Sequence, residues 1–309
     1  MDNEVYDKYV LAGKIAEDAR AFGINLIKTG ASFLDIANKI ESKILEKGGG
    51  LAFPVNISIN EIAAHYSPKD DDTKKLNKGD VVKLDIGTHI DGYIADTAVT
   101  VEIGNNNFNE MIKASSDALD AAINILKPGI SLYEIGKVVQ QTIESYDFKP
   151  IDNLTGHSMQ RYILHAGMSI PNVYDEIYKS KTKVGDVLAI EPFATNGAGH
   201  VVSGSGSNIY LCKESFKQRL IRDRNSKIIF EKIKNEFKTL PFAQRWFKKQ
   251  FSYSEMSLKK LSFIGLVKHY PQLMDAKKGI VTQKEHTVIV TEDGCEVITW
   301  KTIQKIQKS

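Results

Sequence analysis

NLIKTGASFLDIANKIESKI (25–44) returns 99 positions later as NILKPGISLYEIGKVVQQTI (124–143). Asn25, Lys28, Gly30, Ser32, Ile36 and Ile44 all meet identical residues in the second copy. In each copy a Gly closes one helical run, and a Ser followed by an acidic residue three positions on opens the next. A second correspondence follows, with KGDVVKLD (78–85) answered by VGDVLAIE (184–191) at an offset of 106. The chain therefore reads as two related halves, each starting with a helix pair and continuing into strands. Each half delivers one carboxylate, Asp85 or Glu191, at the equivalent place. Symmetric carboxylates between duplicated units are a natural way to build a site for two metal ions.

Outward from the repeat, Val10, Ala12, Ile15, Ala19, Phe22 and Leu26 recur at helical spacing and predict a helix over 4–28, ending near Gly30. The second helix should open at Ser32 and stop at Gly48-Gly49-Gly50. In the second half a helix around 108–127 closes at Pro128-Gly129, and Ser131 with Glu134 opens its successor. Strand-rich segments cover 81–88, 93–103, 187–195, 200–211, 280–290 and 295–303. The pattern predicts an α+β fold, one curved antiparallel sheet backed by helix pairs. Segment 213–270 breaks it and reads as helices at about 225–238, 242–250 and 256–269. No Gly-, Ser- or Pro-rich linker sets this segment apart, so 1–309 is expected to be one domain carrying a helical insert.

Composition bounds the answer. At 309 residues the chain can bury a substantial core, and 42% hydrophobic with 26% charged residues is ordinary for a globular protein. No run of 18 apolar residues exists, and the start MDNEVYDKYV lacks the basic-then-apolar pattern of a secretory signal. Cys212 and Cys295 form no CxxC pair, which fits a reducing cytoplasm. Net charge is only +3, yet 213–270 holds fifteen Lys/Arg against five Asp/Glu, a balance of +10 on a body that carries −7. The insert is thus basic and the body acidic.

VVKLDIGTHIDGYIADTAVTV (81–101) carries the most chemistry. Asp85 and Asp96 flank an Asp91-Gly92 turn signal. If that dipeptide forms the turn, Asp85 faces Ala98 and Asp96 faces Gly87; a shifted register pairs Asp85 with Asp96 directly. Either register puts both carboxylates on one face, about 5–8 Å apart. Valines and isoleucines surround them, where unpaired carboxylates would be costly. Glu191 in AIEPF, Glu285 in QKEHTVIV and His157 in TGHSM add oxygen and imidazole donors. Such a set suits Mn, Fe, Co or Zn. Spacing alone does not recruit His157 or Glu285.

In order, these pieces are Asp-x10-Asp, then GHS, EPF and EHTV, and the set resembles the metallopeptidases of the pita-bread (creatinase) fold. FPVNISINEIAAHYSP (53–68) and GHSMQRYILHAGMSIPN (156–172) resemble type II methionine aminopeptidases, most closely the short archaeal form. The likeness runs over essentially the whole chain, the insert before Glu285 included. It implies a pseudo-two-fold fold and five ligands, Asp85, Asp96, His157, Glu191 and Glu285, for two divalent ions. It implies that Asp96 and Glu285 bridge the ions, that Asp85 serves one, and that His157 and Glu191 serve the other. The reaction implied is removal of the N-terminal methionine of nascent polypeptides with a small second residue, by metal-activated water. Glu191 would move the proton, and His65 and His165 would face the substrate. Phe53, Ile163 and His165 would wall the slot for the thioether. The family is usually monomeric.

Plainer readings hold elsewhere. Asp91 is a turn former, and His89 is expected at the surface. His286 should point away from Glu285, being its neighbour on a strand. His200 and His269 are expected to be solvent-facing or locally hydrogen-bonded. GAGHVVSGSGSN (197–208) lacks the Lys-Ser/Thr of a phosphate loop and reads as a turn and strand edge. Two alternatives are a proline-specific peptidase of the same fold, which normally carries an additional N-terminal domain, and a non-catalytic binding relative. The second is disfavoured by the intact ligand set. The basic insert is also a candidate for docking on ribosomal RNA, since scattered Lys/Arg bind phosphates.

Overall fold

In the computed structural model, residues 1–213, 219–248 and 250–300 and the backbone of 305–307 are described. The first half opens with α1 (Asn3–Ile24) and α2 (Phe33–Glu46). Asp2 caps α1 by accepting from the Val5 N–H, and Ser32 caps α2 by accepting from the Asp35 N–H. Short strands β1 (Gly50–Leu51), β2 (Asn56–Ile59) and β3 (Ile62–Ala64) lead to the long hairpin β4 (Val81–Ile90) and β5 (Tyr93–Glu102). Asp91 and Gly92 both have positive φ, 50° and 88°, the left-handed pair that a tight two-residue hairpin turn requires. This turn settles the register: Asp85 pairs with Ala98, and Gly87 with Asp96.

The second half repeats the helix pair as α3 (Asn109–Ile125) and α4 (Leu132–Glu144). Gly30 and Gly129, equivalent in the repeat, take similar φ values of 83° and 85°, so the duplication holds down to a backbone angle. Ser131 takes the N-cap position of α4, but unlike Ser32 its side chain makes no capping bond. The strands that follow are shorter: β6 (Lys149–Pro150), β7 (Thr155–Ser158), β8 (Ser169–Pro171), β9 (Val187–Ile190) and β10 (Phe193–Thr195). Then come β11 (Val201–Cys212), α5 (Arg224–Glu236), β12 (Phe242–Ala243), α6 (Arg245–Lys248), α7 (Ser254–Phe263) and β13 (Val267–Asp275). The chain closes with β14 (Val281–Gln283), β15 (His286–Val290), β16 (Gly294–Val297) and β17 (Lys305–Gln307). The end of the strand expected over 295–303 falls partly outside the described residues.

Apolar burial divides by half. Ile36, Ile40 and Ile44 of α2 pack on Val82, Leu84 and Ile86 of β4, the face away from Asp85. Leu119, Ile135 and Val139 of α3 and α4 pack on Leu188, Ile190 and Val288 in the same manner. Helices thus back the sheets as expected, but the strands do not form one continuous sheet. Among the described residues they form four hydrogen-bonded groups. β9 and β15 pair in one group while β10 and β14, their direct continuations, pair in another. The breaks fall at Glu191-Pro192, where proline removes a ladder donor, and at Lys284-Glu285. Glu285 bridges instead to Ala98 of β5, which ties the second half to the first.

Segment 213–270 also departs from its reading. Only the first helix, α5, matches; the second shrinks to Arg245–Lys248, and the third stops at Phe263. Gly265, at φ 78°, ends that helix, and Val267 then starts a nine-residue strand. That strand, β13, pairs with β11 and with β3, so the insert is mixed and its return strand is part of the main framework.

Candidate metal centre and substrate cleft

Alternation along β4 and β5 sends Asp85 and Asp96 to the face opposite the α2 core. The register places them diagonally, two steps apart on neighbouring strands. Gly87 lies between them for a steric reason: a Cβ there would sit 2.1 Å from the Phe53 ring, which lies over the strand. His157 enters from β7, where it pairs with Ala189 and Ser169. Its Nε2 is 3.6 Å from Asp96 Oδ2 and 3.8 Å from Glu191 Oε1. Glu191 and Glu285 come from the two strand breaks, where the chain is free to aim a side chain off the ladder. Donor atoms of Asp96, His157 and Glu285 all lie within 4.8 Å of one another.

Burial and mutual repulsion dominate the electrostatics. Burial alone pushes the Asp85 carboxyl up to about 7. Asp96, Glu191 and Glu285 are also raised well above the carboxylate range, first by burial and then by the negative charges of their neighbours. Burial holds His157 down to about 3, so its imidazole is neutral and able to present a lone pair. Oxygens Asp85 Oδ1 and Asp96 Oδ1 are buried with no hydrogen-bond donor among the described residues. Four clustered carboxylates, two of them with an unsatisfied buried oxygen, beside a neutral imidazole call for cations. The residues present therefore fit divalent metal.

Backbone and side-chain bonds fix these groups. Glu285 exchanges bonds with Ala98 at 3.1 and 3.3 Å, and its carbonyl accepts from Thr97 Oγ1 at 2.9 Å. Asp96 is held by Thr287, which accepts from its N–H at 2.7 Å and donates to its carbonyl at 2.8 Å. Behind the cluster, the buried Arg20 of α1 donates to Thr97 Oγ1 and, at 3.0 Å, to the Thr299 carbonyl. Gln283 was not singled out by the sequence, yet its Nε2 donates to Glu191 Oε2 at 3.2 Å. It lies two residues before Glu285, and strand alternation was the signal that could have found it.

A cleft of about 500 Å³ opens on this cluster. His65, with φ 65°, and His165 both face it, and the ring of His165 stands 4.4 Å from that of His157. Phe53 is on its wall as expected, but Ile163 is not: it is 42% exposed and outside the lining. A turn in which Gln160 and Ile163 exchange backbone bonds, with Tyr162 at φ 60°, throws Ile163 outward and turns Leu164 in. Leu164, Ile209, Pro241 and Tyr270 complete the wall. The last two come from segment 213–270, and no motif in the sequence marked them.

Arg245 of the insert fixes this wall from outside. It donates to Ser67 Oγ at 2.8 Å, to the Pro68 carbonyl at 3.1 Å and to Glu41 of α2. Glu41 also accepts from Trp246 Nε1 at 2.9 Å and from the Val55 N–H at 3.2 Å. The network thus ties the segment carrying Phe53 and His65 to both α2 and the insert.

The other histidines sort as follows. His286 turns away from the metal cluster, toward Thr299 and Arg20. His200 bonds Asp152 at 2.7 Å, and His269 stacks on Tyr210 at 4.4 Å. His89 is half-buried rather than at the surface, because it packs against Tyr162 at 5.7 Å and accepts from the Gly92 N–H.

The sequence profile of Metallopeptidase family M24 matches residues 7–292. The chain belongs to this family. Among its curated members, the methionine aminopeptidase of Methanocaldococcus jannaschii is 46% identical over 97% of this chain and 100% of its own length. That of Pyrococcus horikoshii is 45% identical over 95% of this chain and 99% of its own. This M24 chain is therefore a relative of the archaeal methionine aminopeptidases over its whole length. Solved structures share its fold at lower identity. The methionine aminopeptidase of Thermotoga maritima superposes with a TM-score of 0.71 at 22% identity, covering 97% of this chain and 98% of that one. Prolidase from Pyrococcus furiosus gives 0.62 at 18% identity, covering 97% of this chain but only 65% of the prolidase. The α+β architecture of the M24 chain is thus the pita-bread fold. Among the described residues, no helix is long and apolar enough to cross a membrane.

Proposed function

We propose that this protein hydrolyses the first peptide bond after an N-terminal methionine. The observation that carries this reading is full-length kinship with methionine aminopeptidases, joined to a cleft ending at an Asp-His-Glu cluster. Asp85, Asp96, His157, Glu191 and Glu285 would hold two divalent ions, Mn, Fe, Co or Zn. When bound, such ions polarise a carbonyl and make a water acidic enough to lose a proton near neutral pH.

The chain's own residues do the rest. Glu191, within reach of the cluster and oriented by Gln283, takes the proton of the attacking water and returns it to the leaving amine. His165, at the rim, stabilises the oxyanion as the carbonyl becomes tetrahedral. His65 is held neutral, its pKa pushed down to about 4 chiefly by burial, and it donates an N–H to the departing amide nitrogen. Phe53, Leu164, Ile209 and Pro241 provide an apolar wall for the methionine side chain. The kinship with methionine aminopeptidases supports a small second residue beside the cluster.

The test is methionine release from Met-Ala-Ser and Met-Glu-Ser by metal-stripped protein with Mn or Co restored. Release from the first alone is expected. An X-Pro dipeptide cleaved in place of both would move the protein to the proline-specific peptidases. Silence on all three would leave a binding role.

We place the enzyme in the cytoplasm as a monomer, acting on emerging chains. The +10 balance of segment 213–270 supports its docking on ribosomal RNA. Ribosome co-sedimentation that falls with salt and with charge reversal in this segment is expected; equal retention of both proteins at all salt concentrations would dismiss it.

A further inference from the structure

Lys268 and Tyr270 stand two residues apart on β13, so both side chains leave the same face of the strand. Tyr270 lines the cleft, its ring edge-on to His65 at 5.4 Å. The Lys268 ammonium lies 4.5 Å from the centre of that same ring. These two distances hold it within about 10 Å of the His65 ring, the span of about three extended residues. His269, between them, turns to the other face and stacks on Tyr210.

Lys268 is exposed and enters no ion pair among the described residues. Some other cations of the insert are matched, among them Lys248 with Asp70 at 2.6 Å, Lys259 with Glu255 at 2.8 Å and Lys260 with Asp223 at 3.5 Å. An ammonium resting on an aromatic face is partly oriented without being neutralised.

We propose that Lys268 is a specificity-determining residue that draws in a carboxylate on the third or fourth residue of the substrate. The proposal rests on the aminopeptidase reading. With the methionine against Phe53 and the scissile bond beside His65 and His165, the following residues must leave along the wall formed by Tyr270. Lys268 is a cation beside that path. It selects among substrates that already satisfy the apolar slot and the small second residue. Because the ammonium is exposed, the preference should be modest and sensitive to salt.

The test compares three amidated peptides, Met-Ala-Glu-Glu, Met-Ala-Gln-Gln and Met-Ala-Lys-Lys, with metal-loaded wild type, K268Q and K268E. Amidation removes the competing terminal carboxylate. The readout is the ratio of kcat/KM between peptides, which cancels any general change in activity. Wild type should favour the Glu-Glu peptide over the Lys-Lys peptide by about tenfold at low salt, shrinking at high salt. K268Q should flatten the ratio and K268E invert it. A wild-type ratio near one, or the wild-type ranking kept in K268E, would overturn the proposal. Failure of wild type to release methionine from any peptide would instead overturn the aminopeptidase reading on which it stands.

Discussion

The two halves share a framework and part company in their strands. In the first half, β4 and β5 run ten residues each without a break, and one regular hairpin presents Asp85 and Asp96. In the second, β9 is four residues long and gives way at Glu191-Pro192. Its candidate ligands come from three separate places: His157 on β7, Glu191 at the end of β9 and Glu285 between β14 and β15. An unbroken ladder can offer carboxylates only at even spacing on one face. Interrupted strands let the second half converge three side chains from different directions. The duplication supplied the equivalent carboxylates Asp85 and Glu191, β7 supplied the imidazole, and the break before β15 supplied Glu285.

The comparison breaks first at Asp96, where the halves meet through His157. Asp96→Asn should reduce methionine release by at least about 10³-fold while leaving the circular dichroism of the fold unchanged. Near-normal turnover in this variant would mean that the first half merely supports a centre built by the second.

The next largest effect should be on stability, at the network that binds the first half to the insert. Arg245→Met leaves Glu41 buried without its cation, at a cost of about 3–5 kcal/mol in denaturant unfolding. The double variant Glu41→Gln with Arg245→Met should recover part of this loss. If the double variant is no more stable than the single, the pair is not what fastens the segment bearing Phe53 and His65.

Metal removal sharpens the same picture through its pH dependence. Burial raises Asp85 to about 7 in the metal-free fold, whereas its ordinary value is 3.8. Between those values the folded state binds the additional proton, so metal-free stability falls as pH rises through this window. Metal takes the place of those protons, and its stabilising effect should be greater at about pH 7.5 than at pH 5. At a thousandfold excess over Kd the gain is about 4 kcal/mol, on the order of 6 °C in Tm for a chain of this length. A shift that is equal at both pH values would separate the carboxylates from the metal.

The smallest predicted change is at Gln283. Gln283→Ala should lower kcat by roughly 10-fold with little change in KM, because it frees Glu191 to rotate. A wild-type kcat would make the 3.2 Å bond incidental.

Much of this was legible beforehand, for identifiable reasons. The hairpin turn follows from Asp91-Gly92, because few residues other than glycine and asparagine-like ones accept positive φ in sequence, while the choice between two registers needed the structure. The helix pairs follow from their apolar spacing and from Ser32. What was not legible depends on contacts distant in sequence. Periodicity cannot show that Ile163 is thrown outward by a turn while Leu164 points in. It also assigned helix to Val267–His269, where pairing with β11 makes strand, since a short apolar run fits either period. Tyr270 reaches the site through that pairing, Pro241 through the pairing of β12 with β11, and Gln283 through that of β14 with β10.

The central claim is that both halves together hold two ions. Equilibrium dialysis of the metal-stripped protein against Mn, with wild type and Glu285→Gln side by side, addresses it directly. The account predicts two ions per wild-type chain, with metal and activity lost together in Glu285→Gln on an intact fold. Saturation of wild type at one ion, or full activity with two ions bound in Glu285→Gln, would contradict it.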